Sequence, residues 1–79
     1  MTEKVKVEAW GTHLCDPPQI WQMIARIEED ALDTYSLVMI GPGSGRWHVG
    51  GRWASIPGAR EAARRWCRSY AISEPEFVE

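Results

Sequence analysis

The sequence predicts a small α+β domain: a three- to four-stranded antiparallel sheet with two helices packed on one face. The expected order is β-α-β-β-(β)-α, with room for a short C-terminal strand. Three observations predict it. Residues 4–10, KVKVEAW, alternate in polarity with a period of two, the mark of a half-buried strand. Residues 16–32 and 58–71 place apolar side chains three and four apart, the mark of an amphipathic helix. Between those segments lie short runs of β-branched and aromatic residues separated by glycines, as strands and turns require. At 79 residues the chain is one domain, 1–79, because splitting into domains begins at about 150 residues or more.

The first strand points Val5, Val7 and Ala9 one way and Lys4, Lys6 and Glu8 the other, and Gly11 and Thr12 end it. Asp16 then offers an N-cap, Pro17 suits a first helical turn and Gln19 completes a capping box. Ile20, Met23, Ile24, Ile27 and Ala31 form the stripe of this first helix, with Glu28, Glu29 and Asp30 near its C-terminal end. Acids there oppose the helix dipole by a few tenths of a kcal/mol each. TYSLVMI, residues 34–40, reads as a central strand, and GPGSG, residues 41–45, as a turn. RWHV, residues 46–49, is the return strand. Gly50-Gly51 signals a second hairpin leading into RWASI, residues 52–56. The alternative is one longer strand through 46–53 with a bulge at the glycines. Pro57-Gly58 introduces the second helix, whose apolar face is Ala59, Ala62, Ala63, Trp66, Cys67 and Tyr70. The tail, SEPEFVE, either adds an edge strand, completing a βαββαβ plan, or lies on the surface.

So small a core needs dense apolar material, and five tryptophans supply it: Trp10, Trp21, Trp47, Trp53 and Trp66. Three or four are expected in or beside the core. One or two are expected partly exposed, where an indole marks a contact surface. No apolar run approaches the ~18 residues of a membrane span, and the N-terminus lacks the pattern of a signal peptide. Two cysteines cannot build a secreted disulfide framework. A cytoplasmic protein is the expectation.

Charge is segregated. Residues 1–45 hold three bases and seven acids, residues 46–70 six arginines and one acid, and residues 71–79 three acids. The net charge of −2 conceals a strongly dipolar chain. Either the two regions complement each other internally, or one of them is a functional patch. The acidic candidate is Glu28, Glu29, Asp30 and Asp33, a row of carboxylates able to pair with the arginines and lysines of a partner. The basic candidate is Arg46, Trp47, Arg52, Trp53, Arg60, Arg64 and Arg68, which combines phosphate neutralisers with stacking rings and would suit DNA or RNA.

Catalytic chemistry finds little footing. His13, Cys15, His48 and Cys67 include only one close pair, unlike the paired spacing of zinc sites, so neither metal nor other cofactor is expected. A cysteine nucleophile would need His13 or His48 beside it and an oxyanion site. GPGSGR lies between strands and has no following lysine, so it is a turn and not a phosphate loop. An enzyme is not expected. A cavity gathering a thiol or carboxylate beside an imidazole would reverse that expectation.

The stretch GRWHVGGRWASIPGAREAARRW, residues 45–66, resembles a short arrangement common in phage and mobile-element proteins. There a tryptophan strand, a glycine turn, another strand and an Ala/Arg helix follow in order. In size, single-domain build and lack of catalytic motifs the whole chain is similar to phage anti-CRISPR proteins. That resemblance implies a non-enzymatic inhibitor that binds a host protein or protein–nucleic acid complex. A CRISPR effector whose DNA-contacting surface is occluded is the example it suggests. Anti-CRISPR proteins share no common motif, so no residue role is carried over.

Overall fold

The computed structural model describes residues 4–79, Ser44 by its backbone only. Its elements are β1 (Val5–His13), β2 (Gln19–Ala31), β3 (Thr34–Ile40), β4 (Arg46–His48), α1 (Ile56–Ser69) and β5 (Glu76–Val78). They form a five-stranded sheet in the order β4-β3-β2-β1-β5, antiparallel at every pairing. The first four strands are a meander. The helix then crosses one face and delivers β5 to the far edge, against β1.

The expected architecture of two helices on a three- to four-stranded sheet is therefore corrected to one helix on five strands among the described residues. The segment expected as the first helix is β2, and a β-bulge explains the misreading. Ala9 pairs with Ala25 but Trp10 pairs with Met23, which leaves Ile24 as an extra residue in β2. Ile24 and Ala25 both enter the core, with Ile27 two positions on. A bulge resets the alternation of a strand, so the apolar residues of β2 fall at mixed spacings that imitate a helical stripe. Beyond the bulge the period of two is intact: Ala25 and Ile27 are buried, while Arg26 and Glu28 are less so. Pro18 also restricts the residue before it to extended conformations, which works against a helix starting at Asp16.

One side of β3 is served by a single broken strand. Arg46–His48 pair with Val38–Ile40, and the Val49 N–H donates to the Leu37 carbonyl at 3.0 Å. After the glycines, Trp53 and Tyr35 exchange both backbone hydrogen bonds, at 2.8 and 3.0 Å. Gly51 takes φ +104°, a conformation that favours glycine. The second hairpin at Gly50-Gly51 does not form, and residues 52–56 contribute only this bridge. The arrangement follows the alternative of a strand through 46–53 interrupted at the glycines. The tail adds a strand: Ser73 N–H donates to the Thr12 carbonyl at 2.9 Å, and β5 continues along Trp10 to Glu8.

The core lies between α1 and one sheet face. Val7, Ala9, Ile24, Ala25, Ile27, Leu37 and Met39 meet Ala59, Ala63 and Cys67 of the helix. Those three small side chains recur every fourth residue and let the helix approach the sheet closely. Ser55 caps α1 by accepting the Gly58 N–H at 3.3 Å, and Pro57 occupies the first turn, where its missing donor costs nothing. Trp53 and Trp66 pack against the core, while Trp21 and Trp47 are half exposed.

Candidate functional site

The predicted acids are largely engaged within the chain. Arg26 Nε lies 2.8 Å from Glu28, and Lys6 is 3.7 Å from Glu29. Asp30 sits 3.2 Å from Arg52 and 4.0 Å from Lys4, and it also accepts the Ser36 hydroxyl at 3.4 Å. Asp33 stands apart, exposed in the β2–β3 turn at φ +57°. Burial holds the Tyr35 phenol above its ordinary range, with Glu29 and Asp33 adding to the effect. Of these contacts only Arg52–Asp30 joins the acidic region to the arginine-rich one; Lys4, Lys6 and Arg26 lie within residues 1–45 themselves.

The predicted basic set is divided. Met39 faces Trp47 across the strands while Ile40 faces Arg46. The alternation of β4 therefore points Trp47 to the helix side and Arg46 to the open side. Trp53 likewise packs against the core, whereas Arg52 reaches Asp30. Arg46 and Trp47, and likewise Arg52 and Trp53, are thus split across the two faces of the sheet. On α1, Arg60 and Arg64 lie over the Phe77 ring at 5.4 and 5.1 Å. Arg60 pairs with Glu79, and Arg64 with Glu61 and Glu74. Arg46, Arg65 and Arg68 have no ion pair among the described residues.

The structure shows instead an apolar cleft of about 430 Å³ at one end of the sheet. The ends of β1 and β3 and the C-terminal turn of α1 enclose it, with Trp47 along one side. Leu14, Trp47 and Tyr70 line it and are 58, 50 and 61% exposed. Trp66 stacks on Tyr70 with ring centroids 4.6 Å apart. Gly41 makes the wall possible, because a Cβ there would meet the Trp47 ring at 2.3 Å. Ile20 and Trp21, also more than half exposed, follow Gln19, the partner of His13 in β2, but Trp21 lies outside the cleft wall and stacks on Trp10 with ring centroids 6.3 Å apart. Exposed large apolar side chains are thus concentrated at this end of the sheet.

His13 and Cys15 both belong to the cleft wall. A thiol and an imidazole thus line the same cleft, the placement that an enzyme would need. The Cys15 thiol donates to backbone carbonyls, those of His13 at 3.7 Å and Pro17 at 3.2 Å. Its hydrogen bonds go to the main chain and not to the imidazole. The His13 ring is 2% exposed. Burial pushes it below the ordinary histidine range, and a hydrogen bond to the Ile40 backbone partly offsets that. The cleft wall contains no carboxylate to orient the ring. The described residues hold no cluster of His, Cys, Asp and Glu suited to a metal ion, and no helix among them is long and apolar enough to cross a membrane.

Comparison with protein-family models, with curated proteins and with solved structures yields no match.

The cleft was only partly legible in the sequence. By sequence Tyr70 and Trp66 belong to one apolar helix face and Trp47 to a basic sheet. His13 and Cys15 suggest by residue type only metal or catalytic roles. The available signal is Leu14, an apolar residue beside the Asp16-Pro17-Pro18 turn, where a polar loop is the norm.

Proposed function

We propose that this chain is a non-enzymatic binding protein that occludes a partner's surface, and that the apolar end carries the contact. The observation behind this reading is the cleft ringed by Leu14, Trp47 and Tyr70, each at least half exposed. Tryptophan and tyrosine at the centre of an interface contribute most to binding, typically 2 kcal/mol or more each. The acidic row of Glu28, Glu29, Asp30 and Asp33 is the competing contact surface within the same function. Its carboxylates are already paired in part, so a partner would have to displace Lys4, Lys6, Arg26 and Arg52 to use it.

The resemblance to anti-CRISPR inhibitors makes a CRISPR effector the first partner to assay, through loss of its DNA binding. Two double variants separate the surfaces. Trp47→Ala with Tyr70→Ala should abolish inhibition of whichever effector responds, and Glu29→Lys with Asp30→Lys should leave it largely intact. The reverse result would move the contact to the acidic row. Alkylation of Cys15 that eliminates a chemical activity, and not merely binding, would restore the enzyme reading.

The nucleic-acid alternative retains Arg46 and Arg68 of its set as cations with no ion pair among the described residues. Titration with single-stranded DNA at ~50 mM salt tests it, since phosphate binding is strongest at low salt.

A further inference from the structure

The segment after α1 is an arm that docks along β1. The Leu14 N–H donates to the Ala71 carbonyl and the Ser73 N–H to the Thr12 carbonyl, each at 2.9 Å. His13 and Ile72 form a bridge between those two bonds, and Glu76–Val78 pair with Glu8–Trp10 further on. Side chains clasp the arm against α1. Phe77 packs against the core, with the Arg60 and Arg64 guanidinium groups 5.4 and 5.1 Å from its ring centre. Glu79 pairs with Arg60, and Glu74 with Arg64 at 3.7 Å. Each of these contacts joins the arm to the body of the chain, so the arm of a second copy would make them unchanged.

The hinge favours such an exchange. The helix ends at Ser69 and the first hydrogen bond between arm and β1 is already at Ala71, so Tyr70 alone spans the reversal. Ala71 takes φ +53°, a left-handed conformation that disfavours a residue with a side chain about 5–30-fold in population. A short hinge under strain is the condition under which chains exchange elements. Swinging the arm out returns Ala71 to an ordinary conformation, and docking on a second copy restores the contacts that opening breaks. We infer that two copies of this chain dimerise by exchanging residues 71–79, each arm completing the sheet of the other copy beside β1. A foreign strand would have to supply an aromatic ring for two guanidinium groups and carboxylates on either side of it; a second copy carries them at the required spacing. Ala71 and Ile72 also line the cleft, so each cleft of the dimer takes part of its wall from the other copy. The inference stands apart from the binding function proposed above.

Sedimentation of the full chain measures the exchange. An arm tethered by a short hinge competes at an effective concentration of about millimolar, so the dimer should be scarce at ~10 µM and appear on refolding from urea at ~1 mM. Ala71→Gly, which accepts a positive φ, should weaken dimerisation about 25-fold or more, since each dimer relaxes two hinges. Ala71→Val, at an exposed position, should strengthen it, because a β-branched residue tolerates positive φ least. Covalent trapping identifies the exchange itself. Glu8 and Val78 are direct partners, and residues so opposed lie about 4.5–5.5 Å apart between Cα atoms, within disulfide reach. Glu8→Cys with Val78→Cys in a Cys15→Ser background should give covalent dimers from the oxidised dimer fraction on a non-reducing denaturing gel. The monomer fraction should give bridged monomers. A chain that stays monomeric after refolding at ~1 mM, a dimer that releases only monomers on that gel, or an Ala71→Gly variant that dimerises as well as the parent would each overturn the inference.

Discussion

Replacing Gly41 by alanine probes the wall of the cleft. The backbone at Gly41, φ −92° and ψ −179°, is open to any residue, so the substitution imposes no backbone strain. Its consequence is steric. The new Cβ would lie 2.3 Å from Cζ3 and 2.6 Å from Cη2 of Trp47, against ~3.5–4.0 Å for comfortable carbon contact. The ring must retreat by more than an ångström. Trp47 is 50% exposed, so about 100 Å² of its surface is at stake, worth about 2.5 kcal/mol if all of it were lost. Loss of half to all of it, offset by the ~0.4–1 kcal/mol that alanine removes from the unfolded chain's freedom, leaves a net destabilisation of about 0.3–2 kcal/mol. In a domain of this size each kcal/mol lost lowers Tm by about 4–8 °C. Urea denaturation followed by circular dichroism measures it, with Gly50→Ala as control. Nothing lies within 4 Å of a Cβ at Gly50, so that variant should match or slightly exceed the parent. The decisive arm is Gly41→Ala in a Trp47→Ala background, where the penalty should disappear. A penalty of the same size without the indole, or none with it, would refute the account of this wall.

Four further outcomes are expected. Because burial lowers the His13 pKa, the unfolded chain takes up the proton first as pH falls. The stability is complete above pH ~6.5 and declines below it by up to ~1.4 kcal/mol per pH unit; denaturation at pH 8 and pH 5.5 should show a drop that His13→Phe lacks. Leu37→Ala, at a fully buried site, should cost about 2–5 kcal/mol, whereas Leu32→Ala, at a residue 87% exposed, should stay within about 0.5 kcal/mol. Iodoacetamide should label Cys15 in the native protein and reach Cys67 only on unfolding, because Cys67 is buried and its thiol is pushed up to about 11; mass spectrometry counts the adducts. A peptide of residues 16–32 should be unstructured in water and gain helix, not strand, in trifluoroethanol, as circular dichroism would show. Its local pattern is helical, and an isolated segment of this length is marginal in water.

The contrast between β2 and α1 shows what local pattern can and cannot decide. Both segments carry apolar residues at spacings of three and four with a plausible start. In α1 the small residues Ala59, Ala63 and Cys67 match the surface they must cover, and nothing else competes for them. In β2 the same spacing arises from a bulge. Ile24 is inserted opposite the junction of Ala9 and Trp10, a feature belonging to a pairing between two strands and absent from either one alone. The candidate site divides similarly. The arginines and tryptophans were visible as pairs, but which face each occupies depends on the partner strand that fixes the register of β4 and on the path of the chain past Gly50-Gly51.

Period and composition by themselves determined β1, β3, the β4 edge, the helix face of α1 and the burial of Cys67. Each is set by interactions within a few residues or by the need to bury a single apolar face. Only the tertiary structure decided that residues 19–31 are a strand, that the acids pair with Lys4, Lys6, Arg26 and Arg52, and that His13, Trp47 and Tyr70 share a cleft. Those outcomes depend on segments far apart in the chain meeting across the sheet. The free energy of such meetings exceeds the few tenths of a kcal/mol per residue by which local preference favours helix over strand.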